Sequence, residues 1–207
     1  MDAVIFDFDG TLVDSCRLVV ECTNSLSEKY NFSPIQDSEI LKKKSLEELF
    51  SEINLEQHQL LLFLKDMKSL FMSRLREIQF HPDILSVLEK LSREKQLFIL
   101  TSSSPSVVKY VLEKHKGNYF KSIYGDSSLF GKEESIAKLL RERGLDRSQA
   151  VYVGDEVRDI KACRKAGIKI IAVSWGFNSR ELLEGSNPDF LIDQPDELLG
   201  LLSPKTI

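Results

Sequence analysis

The chain has 207 residues, of which 42% are hydrophobic and 29% charged, a composition that is typical of globular proteins and excludes disorder and fibrous repeats. At roughly 150 residues per domain, this length fits one domain with a large insertion or two small domains. The formal charge of -4 argues against a broad surface for nucleic acid, so we expect no polymeric nucleic acid as a partner.

The cysteines and the apolar runs indicate a cytoplasmic protein. Cys16, Cys22 and Cys163 form no Cys-x-x-Cys pair, so they predict neither a disulfide framework nor a zinc site. The first residues lack the basic segment and the long apolar run of a signal peptide. The longest apolar cluster, at 60–64, is far shorter than the ~20 residues that a membrane span needs. We therefore expect no membrane partner.

Short apolar runs that end in Gly, Asp, Ser or Thr alternate with helical stretches, which predicts a parallel sheet built from βα units. The predicted strands lie at 3–6, 97–100, 122–124, 150–153, 168–173 and 190–192. The predicted helices lie at 82–94, 105–116, 132–143, 158–166 and, as a short one, 195–202. We therefore expect an α/β fold with a Rossmann-like parallel sheet.

The region from Ser15 to Phe80 departs from this alternation. It contains no run typical of a strand, and its apolar residues have helical spacing, as in Leu18, Cys22 and Leu26. We predict a Rossmann-like core of residues 1–14 and 82–207 with an inserted all-helical cap of residues 15–81. Because the insertion follows the first strand directly, it can overhang whatever that strand presents.

The first strand ends in the run D-F-D-G-T-L-V-D-S at 7–15. Side chains two residues apart in an extended chain point the same way, so Asp7 and Asp9 can face one ion or one substrate. The alternative is a pair of solvated turn acids beside Gly10.

Three more polar motifs follow later strands. The hydroxyl run at 101–104 precedes Pro105 and opens a helix, so it fits either phosphate binding or helix capping. Lys132 begins a helix, where the helix dipole disfavours a cation, so it fits a functional lysine as well as a surface one. The run G-D-E-V-R-D at 154–159 fits either an acidic site or an acidic helix start.

All four motifs follow strands of one predicted parallel sheet, so their side chains should meet around one crevice. Carboxylates suit a cation that prefers oxygen ligands, whereas hydroxyls, backbone amides and a lysine suit an anion. The combination predicts Mg²⁺-assisted phosphoryl transfer.

The same residues resemble a known family. The run at 7–15, Thr101-Ser102, Lys132 and the spacing Gly154-Asp155-x-x-x-Asp159 resemble, in this order, the four motifs of the haloacid dehalogenase-like phosphohydrolases. The likeness spans the whole chain and is greatest to the phosphoglycolate phosphatase-like branch, in which a helical cap follows the first motif. The chain departs from the family where Lys-Pro-x-Pro is common, because Glu133-Glu134-Ser135 follows Lys132. Lys138 is therefore an alternative for this lysine.

The resemblance implies a Mg²⁺-dependent phosphatase that acts on a small phosphorylated metabolite through an aspartyl-phosphate. Asp7 would attack phosphorus, and Asp9 would protonate the leaving oxygen and then deprotonate water. Lys132 would neutralise charge at the nucleophile and at the transferred group. The resemblance assigns the phosphoryl oxygens to four groups: the amides near Gly10, Thr101, Ser102 and Lys132.

The resemblance also implies the metal ligands. Asp7, the backbone carbonyl of Asp9 and Asp155 would hold the ion, and Glu156 and Asp159 would act through water. The same residues would serve a phosphomutase, and a non-catalytic phosphoryl-binding module is a further alternative. The sequence predicts no oligomeric state.

The cap should supply the contacts to the leaving group. Its candidates are three lysines in a row, Lys42, Lys43 and Lys44, for which a solvated face is the alternative. The histidines are scattered and receive no role, and we expect Trp175 to pack around the end of the fifth core strand.

Overall fold

A computed structural model describes residues 1–35, 55–125 and 132–203 of the protein, and a parallel sheet runs through its centre. The strands in chain order are β1 (Ala3–Phe6), β2 (Val13–Asp14), β3 (Gln79–Phe80), β4 (Gln96–Thr101), β5 (Ser122–Gly125), β6 (Ala150–Gly154), β7 (Lys169–Val173) and β8 (Phe190–Ile192). Six of them form one sheet in the order β5-β4-β1-β6-β7-β8, and every neighbouring pair is parallel.

Helices cover both faces of this sheet. In chain order the described helices are α1 (Cys16–Ser25), α2 (Ser27–Tyr30), α3 (Gln57–Ser73), α4 (Ile84–Ser92), α5 (Pro105–Lys114), α6 (Lys132–Arg143), α7 (Val157–Ala166), α8 (Arg180–Gly185) and α9 (Glu197–Leu202). Helices α4, α5 and α9 contribute to the core on one face, and α6, α7 and α8 to the core on the other. The predicted α/β fold is therefore present.

Strand β1 lies in the middle of the sheet, between β4 and β6. Its four side chains are fully buried because Val4 and Phe6 pack into one core and Ala3 and Ile5 into the other. A strand covered on both faces has a continuous apolar sequence rather than an alternating one, which is why these residues were recognisable as a strand. The chain leaves β1 at Asp7, in the centre of the carboxyl edge.

The described elements between β2 and β3 are all helices or helical turns. Helices α1, α2 and α3 are followed by a 3-10 turn at Leu75–Glu77. Phe63 and Met67 of α3 pack with Leu18 of α1 in a core that continues into the sheet. Tyr30 of α2 donates a hydrogen bond of 2.7 Å to Asp66, which joins α2 to α3.

Beyond shifts of one or two residues at the ends of other elements, three local features differ from the sequence predictions. Strands β2 and β3 form a two-residue antiparallel pair that was not predicted, because so short a pair has no periodicity. Helix α4 begins at Ile84 rather than at 82, since Asp83 has a φ of 63° that does not belong to a helix. Helix α8 was missed, having only six residues.

In the described ranges, no helix is long and apolar enough to cross a membrane.

Candidate active site

The polar motifs meet at the carboxyl edge of the sheet, around the end of β1. Strand β4 brings the hydroxyl run to one side of Asp7, and β6 brings the acidic run to the other, because both strands pair with β1. Lys132 reaches the same place from the start of α6. Asp7, Lys132, Asp155, Glu156 and Asp159 are all buried there.

Asp7 is held through both of its carboxylate oxygens. Oδ1 accepts the Phe8 backbone N–H at 2.7 Å, and Oδ2 accepts a hydrogen bond from Lys132 Nζ at 2.6 Å. Burial raises the pKa of Asp7 to about 6, although the charge of Lys132 opposes this shift. Asp7 is thus a fixed carboxylate with a cation beside it.

Lys132 bridges two carboxylates. Its Nζ lies 2.5 Å from Asp159 Oδ1, in addition to its bond to Asp7, and 5.3 Å from the centre of the Tyr152 ring. Burial by itself lowers the pKa of Lys132, but the charges of Asp159 and Asp7 outweigh it and hold the pKa well above its ordinary value. The alternative residue, Lys138, is 61% exposed and lies 3.9 Å from Glu142. The structure therefore brings Lys132, and not Lys138, into the site.

Asp155 is fixed by two donors from different loops. Thr11 Oγ1 donates to its Oδ1 at 2.6 Å, and the Phe177 backbone N–H donates to its Oδ2 at 2.7 Å. Burial, together with the neighbouring charge of Glu156, raises the pKa of Asp155 well above its ordinary value. The raised pKa means that the ionised form lacks sufficient compensation from the protein groups around it.

The turn after β1 is held close to Asp155 by two side chains, His81, which received no predicted role, and Trp175, which was expected to pack. Gly10 has a φ of 75°, and a Cβ there would lie 2.2 Å from Asp155 Oδ2, so no other residue fits without displacing this carboxylate. His81 Nε2 lies 3.0 Å from the Gly10 carbonyl oxygen, and Trp175 Nε1 donates to the Thr11 carbonyl at 3.0 Å. Trp175 therefore does more than pack, since it anchors this turn.

The carboxylates form a group suited to a metal ion. Ligand atoms of Asp7, Asp155 and Asp159 all lie within 4.8 Å of one another, and all three side chains are buried. Asp159, for which the resemblance implies a role through water, also belongs to this group. The Asp9 side chain is not a member of the group. Carboxylate oxygens are the ligands that Mg²⁺ prefers, so the donor set fits the ion that the motif resemblance implies.

Formal charge supports the same fit. Among the described residues, four carboxylates, the three of this group and buried Glu156, pair with two cations, Lys132 and Arg158, which leaves an excess of two negative charges. Burial raises the pKa of Glu156 to about 7, against the lowering effect of Arg158, whose Nη2 lies 2.5 Å from it. A divalent cation would balance the excess.

Asp9 lies on the other side of the site, next to the end of β4. Its Oδ2 accepts a hydrogen bond of 2.6 Å from Ser103 Oγ, while the Ser103 backbone N–H donates to Thr101 Oγ1 at 3.0 Å. Thr101 is buried and Ser102 is exposed. Thr101 and Ser102 were predicted from the sequence but Ser103 was not, since nothing in a run of serines shows which hydroxyl meets the carboxylate.

A cavity of about 400 Å³ lies between this edge and the inserted helices. The core lines it with Asp9, Ser102, Ser103, Arg158 and Phe177, and the inserted region with Ser15, Val19, Leu64, Met67, Lys68 and Phe71. We refer to it as the active-site cavity. Residues from between β2 and β3 therefore line this cavity together with the core, whereas Lys42, Lys43 and Lys44 lie outside the described residues.

The chain is similar to known proteins over most of its length. The model of the haloacid dehalogenase-like hydrolase family matches residues 4–173. A phosphoglycolate phosphatase from Synechococcus elongatus is 32% identical over 203 residues, which cover 96% of each chain. A pyrophosphatase PpaX from Bacillus cereus is 25% identical and covers 98% of this chain and 97% of its own. A solved haloacid dehalogenase-like hydrolase from Streptococcus pneumoniae is 26% identical with a TM-score of 0.87, covering 98% of this chain and 99% of its own.

The chain therefore belongs to the haloacid dehalogenase-like hydrolases, since the family model spans β1 to β7 and every motif residue of the site. Within this family it lies in the phosphoglycolate phosphatase-like branch and is a phosphatase, a phosphoric monoester hydrolase. The resemblance inferred from the four motifs and the predicted fold are confirmed.

Proposed function

We propose that this phosphatase hydrolyses a small phosphomonoester of the phosphoglycolate type, with Mg²⁺, through a phosphoryl group carried on Asp7. The observation that carries the proposal is the fixed Asp7 carboxylate, bonded to buried Lys132 and grouped with Asp155 and Asp159. Similarity to the phosphoglycolate phosphatase from Synechococcus elongatus over 96% of the chain supports this substrate class.

In the first step an Asp7 carboxylate oxygen attacks phosphorus, and the bond from phosphorus to the leaving oxygen breaks. Asp9 borders the active-site cavity, where the leaving group must lie, and it donates the proton that this oxygen needs. In the second step Asp9 takes a proton from water, which attacks phosphorus and releases phosphate from Asp7. Lys132 neutralises charge on Asp7 throughout.

Asp7 and Asp155, the backbone carbonyl of Asp9 and the nearby Asp159 would hold the Mg²⁺ ion. When bound, the ion supplies the positive charge that lets an anionic phosphoryl group approach these carboxylates. Thr11 Oγ1 and the Phe177 N–H keep Asp155 in place.

The amides near Gly10, with Thr101 and Ser102, would bind the phosphoryl oxygens at the edge of the sheet. Residues 1–14 and 82–207 would form the catalytic core, and residues 15–81 the cap. The active-site cavity is about 400 Å³, which suits a small leaving group. Pyrophosphate is a second candidate substrate, because the pyrophosphatase from Bacillus cereus matches nearly the whole chain.

A phosphate-release assay tests the proposal. Phosphoglycolate, pyrophosphate, a sugar phosphate and a nucleoside monophosphate are each supplied with Mg²⁺ or with EDTA. We expect Mg²⁺-dependent release of phosphate, with phosphoglycolate or pyrophosphate as the best substrate. A phosphomutase would isomerise the sugar phosphate without releasing phosphate, and a non-catalytic binding module would release none from any substrate, so either result contradicts the proposal.

A further inference from the structure

One side of helix α3 lines the active-site cavity with both apolar and charged side chains. Leu64, Met67, Lys68 and Phe71 all line the cavity, and their spacing of three, four and seven residues places them on one side of the helix. Three of the four are apolar. Among the lining residues that the structure describes, Lys68 is the one cation that comes from the inserted region.

Lys68 has no acidic partner among the described residues, unlike other cations nearby. Lys29, on the neighbouring helix α2, forms an ion pair with Asp66. Arg158, the other cation that lines the cavity, donates to Glu156 from Nε at 2.9 Å, and its Nη2 lies 2.5 Å from the same carboxylate. Lys68 is therefore the cation that a ligand in the cavity can pair with without breaking a described ion pair.

A hydroxyl on the same cavity wall also lacks a partner. Ser15 is fully buried, and its Oγ has no hydrogen bond. Ser15 stands at the start of α1, where a serine usually accepts a bond from the helix, yet its side chain makes no such bond. A buried hydroxyl without a partner is unfavourable, so a polar group beside this wall would stabilise it.

We propose that Lys68 and Ser15 form the subsite for the substrate's leaving group, and that this subsite selects a short leaving group with an anionic oxygen. The anion is either a carboxylate, as in phosphoglycolate, or a second phosphoryl group, as in pyrophosphate. The neighbouring apolar side chains, Leu64, Met67 and Phe71, limit the length of the group. The subsite rests on the proposed phosphatase function and specifies its substrate class.

The test compares substrates that differ in the charge of the leaving group. Phosphoglycolate and pyrophosphate have an anionic leaving group, whereas 2-hydroxyethyl phosphate has a neutral one of the same length as glycolate. In Lys68→Gln we expect kcat/KM for an anionic substrate to fall about tenfold or more, and that for 2-hydroxyethyl phosphate to change less than about twofold. Ser15→Ala should shift the ratio in the same direction by about threefold. The anionic substrate that loses rate identifies the anion, carboxylate or phosphoryl.

Lys65→Gln is the matched control, because Lys65 is exposed on the same helix and does not line the cavity. It should leave the ratio of the two kcat/KM values unchanged. An equal shift in the Lys65 and Lys68 variants would assign the effect to long-range attraction and overturn the subsite. An unchanged ratio in Lys68→Gln, with normal release from 2-hydroxyethyl phosphate, would overturn the subsite alone. Absence of phosphate release from every substrate in the parent enzyme would overturn the phosphatase proposal and the subsite together.

Discussion

The charge and position of single side chains in this site depend on partners that are distant in the sequence. Lys132 stays charged in a buried position because Asp7 and Asp159 lie within 2.6 Å of its Nζ. Asp7 follows β1, whereas Asp159 lies in the first turn of α7. The role of each side chain can therefore be tested by changing one partner at a time, with a matched substitution elsewhere as the control.

Asp7→Asn should abolish turnover, because an amide does not attack phosphorus and leaves the charge of Lys132 less well paired. We expect no phosphate release above background at saturating Mg²⁺. Asp2→Asn is the control, since Asp2 precedes the opposite end of β1, where its side chain accepts a bond of 3.1 Å from Gln149 Nε2. Full activity in Asp7→Asn would contradict the assignment of the nucleophile.

Asp9→Asn should retain substrate binding but lose the transfer of protons, at a cost of about 10²–10⁴-fold in kcat. The loss in the first step should be much smaller for an aryl phosphate, whose leaving group departs without a proton, than for an alkyl phosphate. Rapid-mixing kinetics of leaving-group release measures that step. Equal damage with both substrates would show that Asp9 is not the acid.

Ser103→Ala should lower kcat about tenfold, because it removes the 2.6 Å hydrogen bond that orients Asp9. Ser106→Ala serves as the control, since Ser106 is exposed in the first turn of α5 and its hydroxyl lies 3.1 Å from Ser104 Oγ, away from Asp9. Steady-state kinetics of both variants is the measurement. A Ser103 variant as active as the Ser106 variant would remove Ser103 from the site.

The loops between elements are packed as closely as the buried side chains of the site. The loop after β7 passes so close to Asp155 that a Cβ on Gly176 would lie 2.2 Å from Asp155 Oδ2. Gly176→Ala should lower the free energy of unfolding by about 1–3 kcal/mol, as overpacking does, and should weaken Mg²⁺ binding. Denaturant unfolding and a metal titration measure the two effects.

Gly200→Ala is the control for this loop, because nothing lies within 4 Å of the added Cβ and the position is inside α9. Alanine there should leave stability unchanged or raise it by up to about 1 kcal/mol. Similar destabilisation by both substitutions would mean that Gly176 is not specially constrained.

The elements that sequence alone predicts are those with a long or strongly apolar pattern. Strands such as β1 were recognisable as buried apolar runs, and α6 has its predicted bounds. The pair of β2 and β3 was not recognisable from the sequence, because the pairing of its two strands depends on chain that returns from the insertion. At the site, residues within a motif were assigned by type and spacing. Ser103 and His81 were missed because their roles come from contacts across the fold.

The stability of the whole molecule should depend on pH in an unusual direction when metal is absent. Burial raises the pKa of Asp7 from 3.8 to about 6 and that of Glu156 from 4.5 to about 7. Between about pH 4 and 7 these two carboxyls are ionised in the unfolded chain but still largely protonated in the folded state. The folded state therefore binds more protons than the unfolded one. The free energy of unfolding should therefore fall as pH rises, on the order of 2–3 kcal/mol for each carboxyl.

Denaturant unfolding in EDTA at pH 5 and pH 7.5 measures this fall. Added Mg²⁺ should restore stability mainly at the higher pH, because it binds only the ionised carboxylates of the folded state. Asp7→Asn should show a smaller fall, since it lacks one of the titrating groups. Metal-free protein that is more stable at pH 7.5 than at pH 5 would contradict the prediction.

The short pairing of β2 with β3 has a consequence for the history of the molecule. Val13 lies opposite Phe80 and Asp14 opposite Gln79, so the chain leaves the core and re-enters it at the same point. Whatever lies between these two crossings can lengthen, shorten or be exchanged for another module without altering the path of the core. Substrate preference can therefore diverge during evolution while the residues that bind and transfer the phosphoryl group stay the same.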